Sequence, residues 1–238
     1  MNKLDILEWD SDFFGYKVGK IIASSIGSGE LATLISEAKD LDVKLIYIFT
    51  DPTDVASKQA AASNNAKLVD QKITFYTKIT DSHSSVTDEH IQLYEQDYPS
   101  EQLISLSMQS GMYSRYKIDP GFKNKEFERL YLRWVENSVN KKIADHTFVY
   151  REGENDLGFV TLKIKDGHGQ IGLIAVDESS RGKSIGKKLV AAVFNKLVEK
   201  RAVDLDVATQ VDNEDACNFY KKVGFKEHKA DNIYHIWL

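Results

Sequence analysis

The sequence is poor in cysteine, in long apolar runs and in net positive charge. A single cysteine, Cys217, stands among the 238 residues, so no disulfide can form within them. No apolar run approaches the ~18 residues that a membrane-spanning helix requires. The acidic first residues also lack the basic-then-apolar order of a signal peptide. These absences predict a cytoplasmic protein without a disulfide framework and without a membrane partner.

The charge balance is mildly acidic. Lysine and arginine number 31 against 36 acidic residues, which gives a net charge of −5. A general affinity for nucleic acid therefore has no electrostatic basis. Hydrophobic residues make up 42% of the chain, enough to bury a core in one large domain or two modest ones. We predict a globular protein in which any basic site is local, with no nucleic-acid partner and no metal site.

A polar stretch, ITDSHSSVTDEH at 79–90, interrupts the hydrophobic patterning and predicts a seam between domains. The elements predicted before this seam are helices at 28–40 and 52–65 and strands at 43–50 and 72–80. We therefore predict a smaller α/β domain over residues 1–84 and a larger domain over residues 85–238.

The larger domain has a regular order of predicted elements. They are a helix at 126–140, strands at 146–152, 157–165 and 170–176 joined by hairpins, a helix with Ile185, Leu189, Val193 and Leu197 on one face, a strand at 204–209, a helix ending at Gly224, and final strands at 225–229 and 232–238. This order predicts an α/β (α+β) fold in which a mixed, mostly antiparallel sheet is flanked by helices.

A basic loop joins the strand at 170–176 to the helix that follows it. The loop and the helix start contain Arg181, Gly182, Lys183, Ser184, Ile185, Gly186, Lys187 and Lys188. Free backbone N–H groups and the helix dipole favour an anion at a helix start, and four basic side chains strengthen that preference. The loop lacks the glycine spacing of ATP- and NAD-binding motifs, and its composition suits a diphosphate. The alternative is a solvated basic helix start capped by Ser179 or Ser180.

Two motifs resemble those of the GNAT N-acetyltransferases. The loop follows R-x-x-G-x-G/A after a Val-Asp strand end, with Arg181 and Gly186 matching and Ser184 standing where the family usually has glycine. The stretch NEDACNFYKKVGF at 213–225 follows N-x-x-A-x-x-F-Y-x-x-x-G-F. The resemblance implies the GNAT fold and acetyl-CoA as co-substrate, bound by the loop over residues 181–187.

Three further segments extend the resemblance over nearly the whole chain. The segments at 7–21, 114–122 and 207–216 resemble the TDP-fucosamine acetyltransferases, which acetylate TDP-4-amino-4,6-dideoxygalactose for bacterial surface polysaccharides. The resemblance implies an incomplete GNAT-like domain before a complete catalytic GNAT domain, in agreement with the predicted seam. It also implies a nucleotide-linked aminosugar as acceptor and a homodimer.

Acetyl transfer requires a proton for the departing CoA thiolate. The resemblance assigns this role to Tyr220, and the alternative is a core tyrosine whose hydroxyl has found a buried partner. No general base is predicted, because the candidates near strand ends are equally typical of solvated residues. These candidates are His146, His168, Glu178 and Asp206.

The pantetheine arm of the cofactor is expected to pair with a strand edge, as an added strand would. The predicted edge is the backbone of Leu173, Ile174, Ala175 and Val176, with Gly172 allowing a bulge. Asn213 resembles the family's pantetheine-contacting residue, and a helix N-cap is its alternative role.

The candidate acceptor residues are Arg115, Tyr116 and Asp119. Arginine suits bidentate recognition of a diphosphate, and an aromatic ring can stack on a base. The alternative is a structural pair of Arg115 with Asp119 before Pro120.

Three functions stay open at this point. The first is a sugar-nucleotide N-acetyltransferase, favoured by the three segments. The second is an acetyltransferase for a protein amine or a small polyamine, which the negative net charge also suits. The third is a degenerate acyl-CoA-binding module, against which the presence of Tyr220 argues.

Overall fold

The computed structural model describes residues 2–83, 85 and 87–238. Met1, Ser84 and Val86 lie outside the described residues, the last two within the predicted seam. The strands are β1 (Leu4–Ile6), β2 (Lys17–Ala23), β3 (Val43–Thr50), β4 (Lys67–Lys78), β5 (Ile91–Leu93), β6 (His146–Glu152), β7 (Asn155–Lys165), β8 (His168–Val176), β9 (Asp204–Gln210) and β10 (Lys226–Trp237). The helices are α1 (Glu8–Phe14), α2 (Ser28–Asp40), α3 (Val55–Ser63), α4 (Glu101–Ser110), α5 (Arg115–Ile118), α6 (Glu126–Val139), α7 (Ile185–Glu199) and α8 (Glu214–Lys222).

The strands form one sheet in the order β1-β2-β3-β10-β4-β9-β8-β7-β6-β5. Two neighbouring pairs, β2 with β3 and β8 with β9, are parallel, and the other seven are antiparallel. The predicted mixed, mostly antiparallel sheet flanked by helices is confirmed. The division into two domains stays a prediction, and the structure adds that β4 of the first segment lies between β9 and β10 of the second.

Most predicted elements are present, and one prediction about the C-terminus is wrong. The two final strands are a single strand, β10, which pairs with both β3 and β4. The two residues that we interpreted as a break, Ala230 and Asp231, stay in the strand because both pair with β4. Register shifts against β4 on either side of these residues accommodate the irregularity.

Several short elements were not predicted at all. They are β1, α1, β2, β5, α4 and α5. Most have too few residues to establish a hydrophobic period, and tertiary packing defines them instead. In the described part of the chain, no helix is both long enough and apolar enough to cross a membrane.

The helices cover the two faces of the sheet. One core contains residues of β9, α7 and α8, among them Val207, Leu189 and Tyr220. The opposite core contains residues of β8, α4 and α6, among them Leu173 and Leu130. We call these the α7 face and the α6 face. The α6-face core also takes in side chains of α1 and β3, so it extends across the predicted seam.

The sheet opens between the neighbouring strands β8 and β9. They pair in parallel only from His168 with Asp204 to Ile171 with Val207. Beyond that point Gly172 and Ala208 are exposed, although both lie in the middle of the sheet. We call the opening between residues 172–176 and 208–210 the wedge, and it connects the α7 face with the α6 face.

Candidate active site

The β8 side of the wedge carries a bulge. Leu162 of β7 pairs with Ile171 and Val160 pairs with Ile174, so two residues of β8 oppose one of β7. The predicted bulge at Gly172 is confirmed. The Leu173 amide, however, donates to Oγ1 of Thr161 at 2.8 Å. Because this N–H already has an acceptor, the Leu173 carbonyl is the group that remains for pantetheine, and cofactor contact at Leu173 stays a prediction.

The rest of the β8 edge remains suited to an extended ligand. Ile174, Ala175 and Val176 pair with β7 on one side and border the wedge on the other. Such an unpaired edge can form backbone hydrogen bonds with the amides of a pantetheine arm. Cofactor contact at these three residues stays a prediction.

The loop after β8 has the backbone of an anion site. Gly182 and Ser184 have φ of 81° and 61°, both in the left-handed region. The first helical hydrogen bond of α7 runs from the amide of Lys188 to the carbonyl of Ser184 at 3.1 Å. The amides of Ile185, Gly186 and Lys187 precede that bond, so they are free to bind an anion.

The basic side chains of the loop do not all serve this site. Arg181, Lys183 and Lys187 are exposed beside the helix start, and Nε of Arg181 donates to the Val176 carbonyl at 3.4 Å. The Lys188 ammonium instead lies 3.0 Å from Oδ2 of Asp88. The prediction of four available cations is therefore wrong, and three remain.

The capping alternative for the loop is also wrong. Ser179 and Ser180 lie in a short 3₁₀ turn, where Asp177 accepts the Ser179 amide at 3.0 Å. Helix α7 begins only after Ser184, which makes no side-chain capping bond. The Asp177 turn holds both serines before the helix starts, so neither reaches the α7 amides.

Gly186 lies where α7, α8 and β8 meet. A Cβ atom there would approach Cζ of Phe219 to 3.2 Å and Cγ2 of Val176 to 3.7 Å. The side chain of Phe219 thus closes the α7-face side of the wedge against the start of α7. The absence of a side chain at Gly186 permits this contact.

Tyr220 lies on the same side. Its side chain is 3% exposed, with ring centroids of Phe75 and Phe219 both at 5.4 Å. Burial and neighbouring Cys217 raise its pKa, so the phenol is protonated at neutral pH. The hydroxyl makes no hydrogen bond with any described residue, and it is not among the polar atoms that the fold fully encloses. The alternative role for Tyr220, a core tyrosine whose hydroxyl is bonded to a buried partner, is therefore not observed among the described residues.

Two other predicted positions, Asn213 and His168, interact with neighbouring residues of the fold. Oδ1 of Asn213 accepts the Ala216 amide at 3.2 Å, so its N-cap role is confirmed and its pantetheine contact stays a prediction. His168 lies 2.6 Å from Asp204 and 3.3 Å from Asp206, in the paired part of the strands before the wedge opens. Neither His168 nor Asp206 borders the wedge.

Arg115 lies at the start of α5, a helix that packs against β4. Its Nη2 donates to the Tyr116 hydroxyl at 2.6 Å, and its guanidinium carbon lies 5.0 Å from the ring centroid of Tyr47. The Arg115 Nε atom is buried without a partner. Among the described residues no carboxylate forms a salt bridge with it, so the predicted alternative of a pair with Asp119 is wrong.

Asp119 is committed to other residues. It accepts from Nδ1 of His235 at 2.6 Å, from Nε1 of Trp237 at 2.9 Å and from the Gly121 amide at 3.0 Å. Although burial raises the carboxyl pKa, these hydrogen bonds lower it to about 2. Asp119 therefore anchors α5 to β10, and an acceptor role for it stays a prediction.

Tyr116 is buried rather than open to a ligand. Its ring centroid lies 5.4 Å from that of Phe122 and 6.0 Å from that of Trp134. Because the ring is enclosed by neighbours, the predicted stacking on a nucleotide base is wrong. Its hydroxyl accepts the hydrogen bond from Arg115.

Three polar residues around Arg115 escaped the sequence analysis. They are Tyr47 of β3, Asp70 of β4 and His235 of β10, each with a buried side-chain atom that no described residue contacts by a hydrogen bond. The rings of Tyr47 and His235 stack at 4.8 Å. With Arg115 they form what we call the polar cluster. The local signal in the sequence for Asp70 is a carboxylate inside the apolar-rich run LVDQKITF at 68–75.

With this geometry established, comparison with known proteins shows what the chain resembles. Residues 110–225 match the acetyltransferase (GNAT) family. This segment, just under half of the chain, is similar to a GNAT-family acetyltransferase domain. The predicted GNAT fold and the acetyl-CoA-dependent N-acetyltransferase class are thereby confirmed, with acetyl-CoA as the co-substrate of the family.

Curated relatives resemble this chain at low identity. It is 25% identical to the spore coat polysaccharide biosynthesis protein SpsD of Bacillus subtilis over 138 residues, which cover 58% of this chain and 47% of SpsD. It is 28% identical to N-alpha-acetyltransferase 30 of Schizosaccharomyces pombe over 120 residues, covering 48% of this chain and 78% of that protein. The match to SpsD thus spans less than half of its length.

Solved GNAT structures share the fold. A GCN5-related N-acetyltransferase from Sphaerobacter thermophilus matches with a TM-score of 0.65 and 12% identity, over 98% of this chain and 76% of that one. A tandem GNAT protein from the clavulanic acid biosynthesis pathway matches with a TM-score of 0.56 and 13% identity, over 92% and 75%. These similarities support the fold alone.

Proposed function

We propose that the protein acetylates the amine of a nucleotide-linked aminosugar, TDP-4-amino-4,6-dideoxygalactose, with acetyl-CoA as donor. The observation that carries the acceptor assignment is Arg115, whose guanidinium has aromatic and hydroxyl neighbours but no carboxylate in salt-bridge contact among the described residues. The polysaccharide-biosynthesis relative and the three subfamily-like segments support the same acceptor.

The proposed donor site uses the α7 side of the wedge. The free amides at the start of α7, with Arg181 and Lys183, bind the diphosphate of acetyl-CoA. The pantetheine arm passes through the wedge along residues 174–176. The thioester then lies at the wedge, between the Tyr220 hydroxyl and the α6 face.

The chemistry is direct transfer. A neutral amine attacks the thioester carbonyl carbon, the C–S bond breaks, and Tyr220 gives its proton to the sulfur. Reference pKa values of about 10 for a phenol and about 8.5 for a thiol make this proton transfer uphill by roughly 2 kcal/mol. The raised pKa of buried Tyr220 increases that difference. Desolvation of the thiolate acts in the opposite direction, because burial disfavours its charged form.

On the acceptor side, the diphosphate of the nucleotide sugar is the proposed partner of Arg115. A partly buried cation without a carboxylate partner is costly, and a bound anion would relieve that cost. The fixed fork of an arginine suits two phosphate oxygens at once.

The test is mass spectrometry of acceptors incubated with the protein and acetyl-CoA. We expect one acetyl group on TDP-4-amino-4,6-dideoxygalactose and none on the same aminosugar without its nucleotide. Arg115→Ala should raise the KM for the nucleotide sugar by at least about tenfold, as expected for loss of a charge-assisted contact. The control Arg133→Ala removes an exposed arginine of α6 that pairs with Glu136 and should leave KM unchanged. Equal turnover of both sugars would contradict the diphosphate assignment.

A protein N-terminal amine is the second candidate acceptor. The fission-yeast N-alpha-acetyltransferase, matched over 78% of its length, favours it. Acetylation of peptide N-termini with no acetylation of any nucleotide sugar in the same panel would select this function. Sedimentation of the purified protein would separately test the homodimer that the resemblance implies.

A further inference from the structure

We propose that Asp70 is the general base of this acetyl transfer, taking a proton from the ammonium form of the acceptor on the α6-face side of the wedge. The inference rests on acetyl transfer at the wedge, which is part of the proposed function, and applies whichever amine is the acceptor.

Strand pairing places Asp70 at the wedge. Lys72 of β4 pairs with Gln210, the last residue of β9 and one wall of the wedge. Side chains alternate along a strand, so Asp70, two residues from Lys72, lies on the same face as Lys72 and Gln210. Asp70 also pairs with Ile233, which pairs with Phe49. Phe49 packs against the α6-face core, so this face is the α6 face.

One carboxylate oxygen of Asp70 is left unpartnered by the fold. The residue is buried, being 7% exposed, and its Oδ1 atom has no hydrogen-bond partner among the described residues. The charged groups nearest to it are Arg115 from α5, Lys72 on its own strand and Asp212 after β9. A buried carboxylate oxygen without a donor is costly to maintain in a fold. A function that needs an empty acceptor atom explains why it is retained.

Its acid–base properties suit the role. Burial raises the pKa of Asp70 to about 6, while the charge of Arg115 and a hydrogen bond from Gln210 oppose that rise. The carboxylate is thus largely ionised at pH 7 and is a stronger base than an exposed aspartate. A general base acts best when its pKa lies near the working pH.

The proposed base and acid lie on opposite faces of the sheet. Tyr220 packs on Phe75, which belongs to the α7-face core. Phe75 is five residues from Asp70 on β4, so their side chains point to opposite faces. The acceptor amine therefore approaches the thioester from the α6 face, while the CoA sulfur leaves toward Tyr220 on the α7 face.

The proton balance is complete with these two residues. Asp70 breaks one N–H bond of the ammonium and becomes a neutral acid, which leaves the nitrogen lone pair free to attack. The C–N bond forms, the C–S bond breaks, and the sulfur takes the Tyr220 proton. The amide nitrogen then loses a proton that restores Tyr220, and Asp70 releases its own proton to water. The net products are the amide, CoA thiol and one proton.

The decisive variant is Asp70→Asn, with Asp212→Asn as the matched control because Asp212 is an exposed carboxylate at the same end of the sheet. Asp70→Asn should lower kcat/KM roughly 10²- to 10⁴-fold at pH 7, the usual contribution of a general base. The loss should shrink as pH rises, because more of the amine is then already neutral. Wild-type kcat/KM should fall below about pH 6. Asp212→Asn should keep the wild-type activity at pH 7 and move this fall only slightly to lower pH, because the Asp212 charge is a minor contribution to the raised pKa of Asp70.

Folding is checked independently by thermal unfolding. The raised folded-state pKa of Asp70 means that stability from its neutral form is present below about pH 4 and is lost as pH rises through about 6. Asn cannot ionise, so Asp70→Asn should unfold at a higher temperature than wild type at pH 7, with the gap closing at pH 4. A loss of activity that is equal at every pH, or near-native activity at pH 7, would overturn the assignment.

The acceptor used separates this proposal from the proposed function. The variants are assayed with whichever amine in the panel the wild-type protein acetylates. That amine can be a peptide N-terminus while Asp70→Asn still shows the pH-dependent loss of activity. In that case the sugar-nucleotide function is overturned, and the assignment of Asp70 as general base is supported. If the wild-type protein acetylates none of the amines, both proposals are overturned.

Discussion

The two sides of the wedge are built in different ways. The α7 side comes from one continuous stretch, residues 174–220, which runs through β8, the basic loop, α7, β9 and α8. The α6 side is assembled from β3, β4, α5 and β10, whose residues range from Tyr47 to His235. Donor chemistry is thus encoded locally as a motif, whereas the proposed acceptor chemistry depends on topology.

The two sides also differ in their electrostatics. The cations of the α7 side are exposed, so solvent and salt screen them. Tyr47, Asp70 and His235 on the α6 side are buried and carry unpartnered atoms. Screening is weaker there, so each polar group interacts more strongly with a bound ligand. Variants on the two sides should therefore separate donor effects from acceptor effects.

The largest expected effect in the donor half of the site is that of Tyr220→Phe. The substitution removes the hydroxyl and keeps the ring, so kcat should fall roughly 10²- to 10⁴-fold with the KM for acetyl-CoA nearly unchanged. The thermal midpoint should stay near the wild-type value, because the hydroxyl makes no hydrogen bond with a described residue.

Tyr234→Phe is the control, since Tyr234 is a buried tyrosine that packs with α2 and α3, away from the wedge. It should leave kcat unchanged. Near-native turnover of Tyr220→Phe would instead remove the phenol from the mechanism and weaken the contrast between the two sides.

The next effect concerns the basic loop. Replacing Arg181 and Lys183 together with alanine should raise the KM for acetyl-CoA about 10- to 100-fold, from the loss of charge-assisted contacts. The KM for the acceptor should stay unchanged. Lys188→Ala removes a cation of the same helix start that is already paired with Asp88, and it should leave the KM for acetyl-CoA within about twofold. Calorimetry of acetyl-CoA binding to each variant checks both expectations.

A smaller effect should appear when salt is varied. Because the loop cations are exposed, the KM for acetyl-CoA should rise several-fold between about 0.01 M and 1 M ionic strength, as the screening length shortens from about 30 Å to about 3 Å. The acceptor KM should change less, since Arg115 acts from a partly buried position. Steady-state kinetics at fixed pH measures both, and an equal response of the two KM values would contradict the distinction.

The smallest effect is expected at Ser184, which has φ of 61° in the loop. Ser184→Gly removes the strain of a side chain in the left-handed region, worth ~1–2 kcal/mol, but adds freedom to the unfolded chain. The net stabilisation should be below about 1 kcal/mol, with acetyl-CoA binding retained. Gly182→Ala places a side chain at φ of 81° and should lower the free energy of unfolding. Chemical denaturation of both variants decides the sign.

The contrast also explains which features could be predicted from the sequence. Helix 28–40, strand 43–50 and the meander follow from hydrophobic period and turn residues, and the loop follows from its basic residues before a helix. The partners of Lys188 and Asp119 could not be predicted, because Asp88, His235 and Trp237 lie far from them in the chain. The same holds for Asp70, whose role depends on β4 lying beside β9.

The position of β10 affects how the chain reaches its native state. This strand lies between β3 and β4, both of which leave the ribosome long before it does. Until β10 arrives, two strand edges stay unpaired and open to association with other chains. Closing so long a segment costs entropy before any pairing compensates for it. Folding is therefore expected to be slow, with its last step at the C-terminus, and a nascent chain of this protein is a natural client for chaperones.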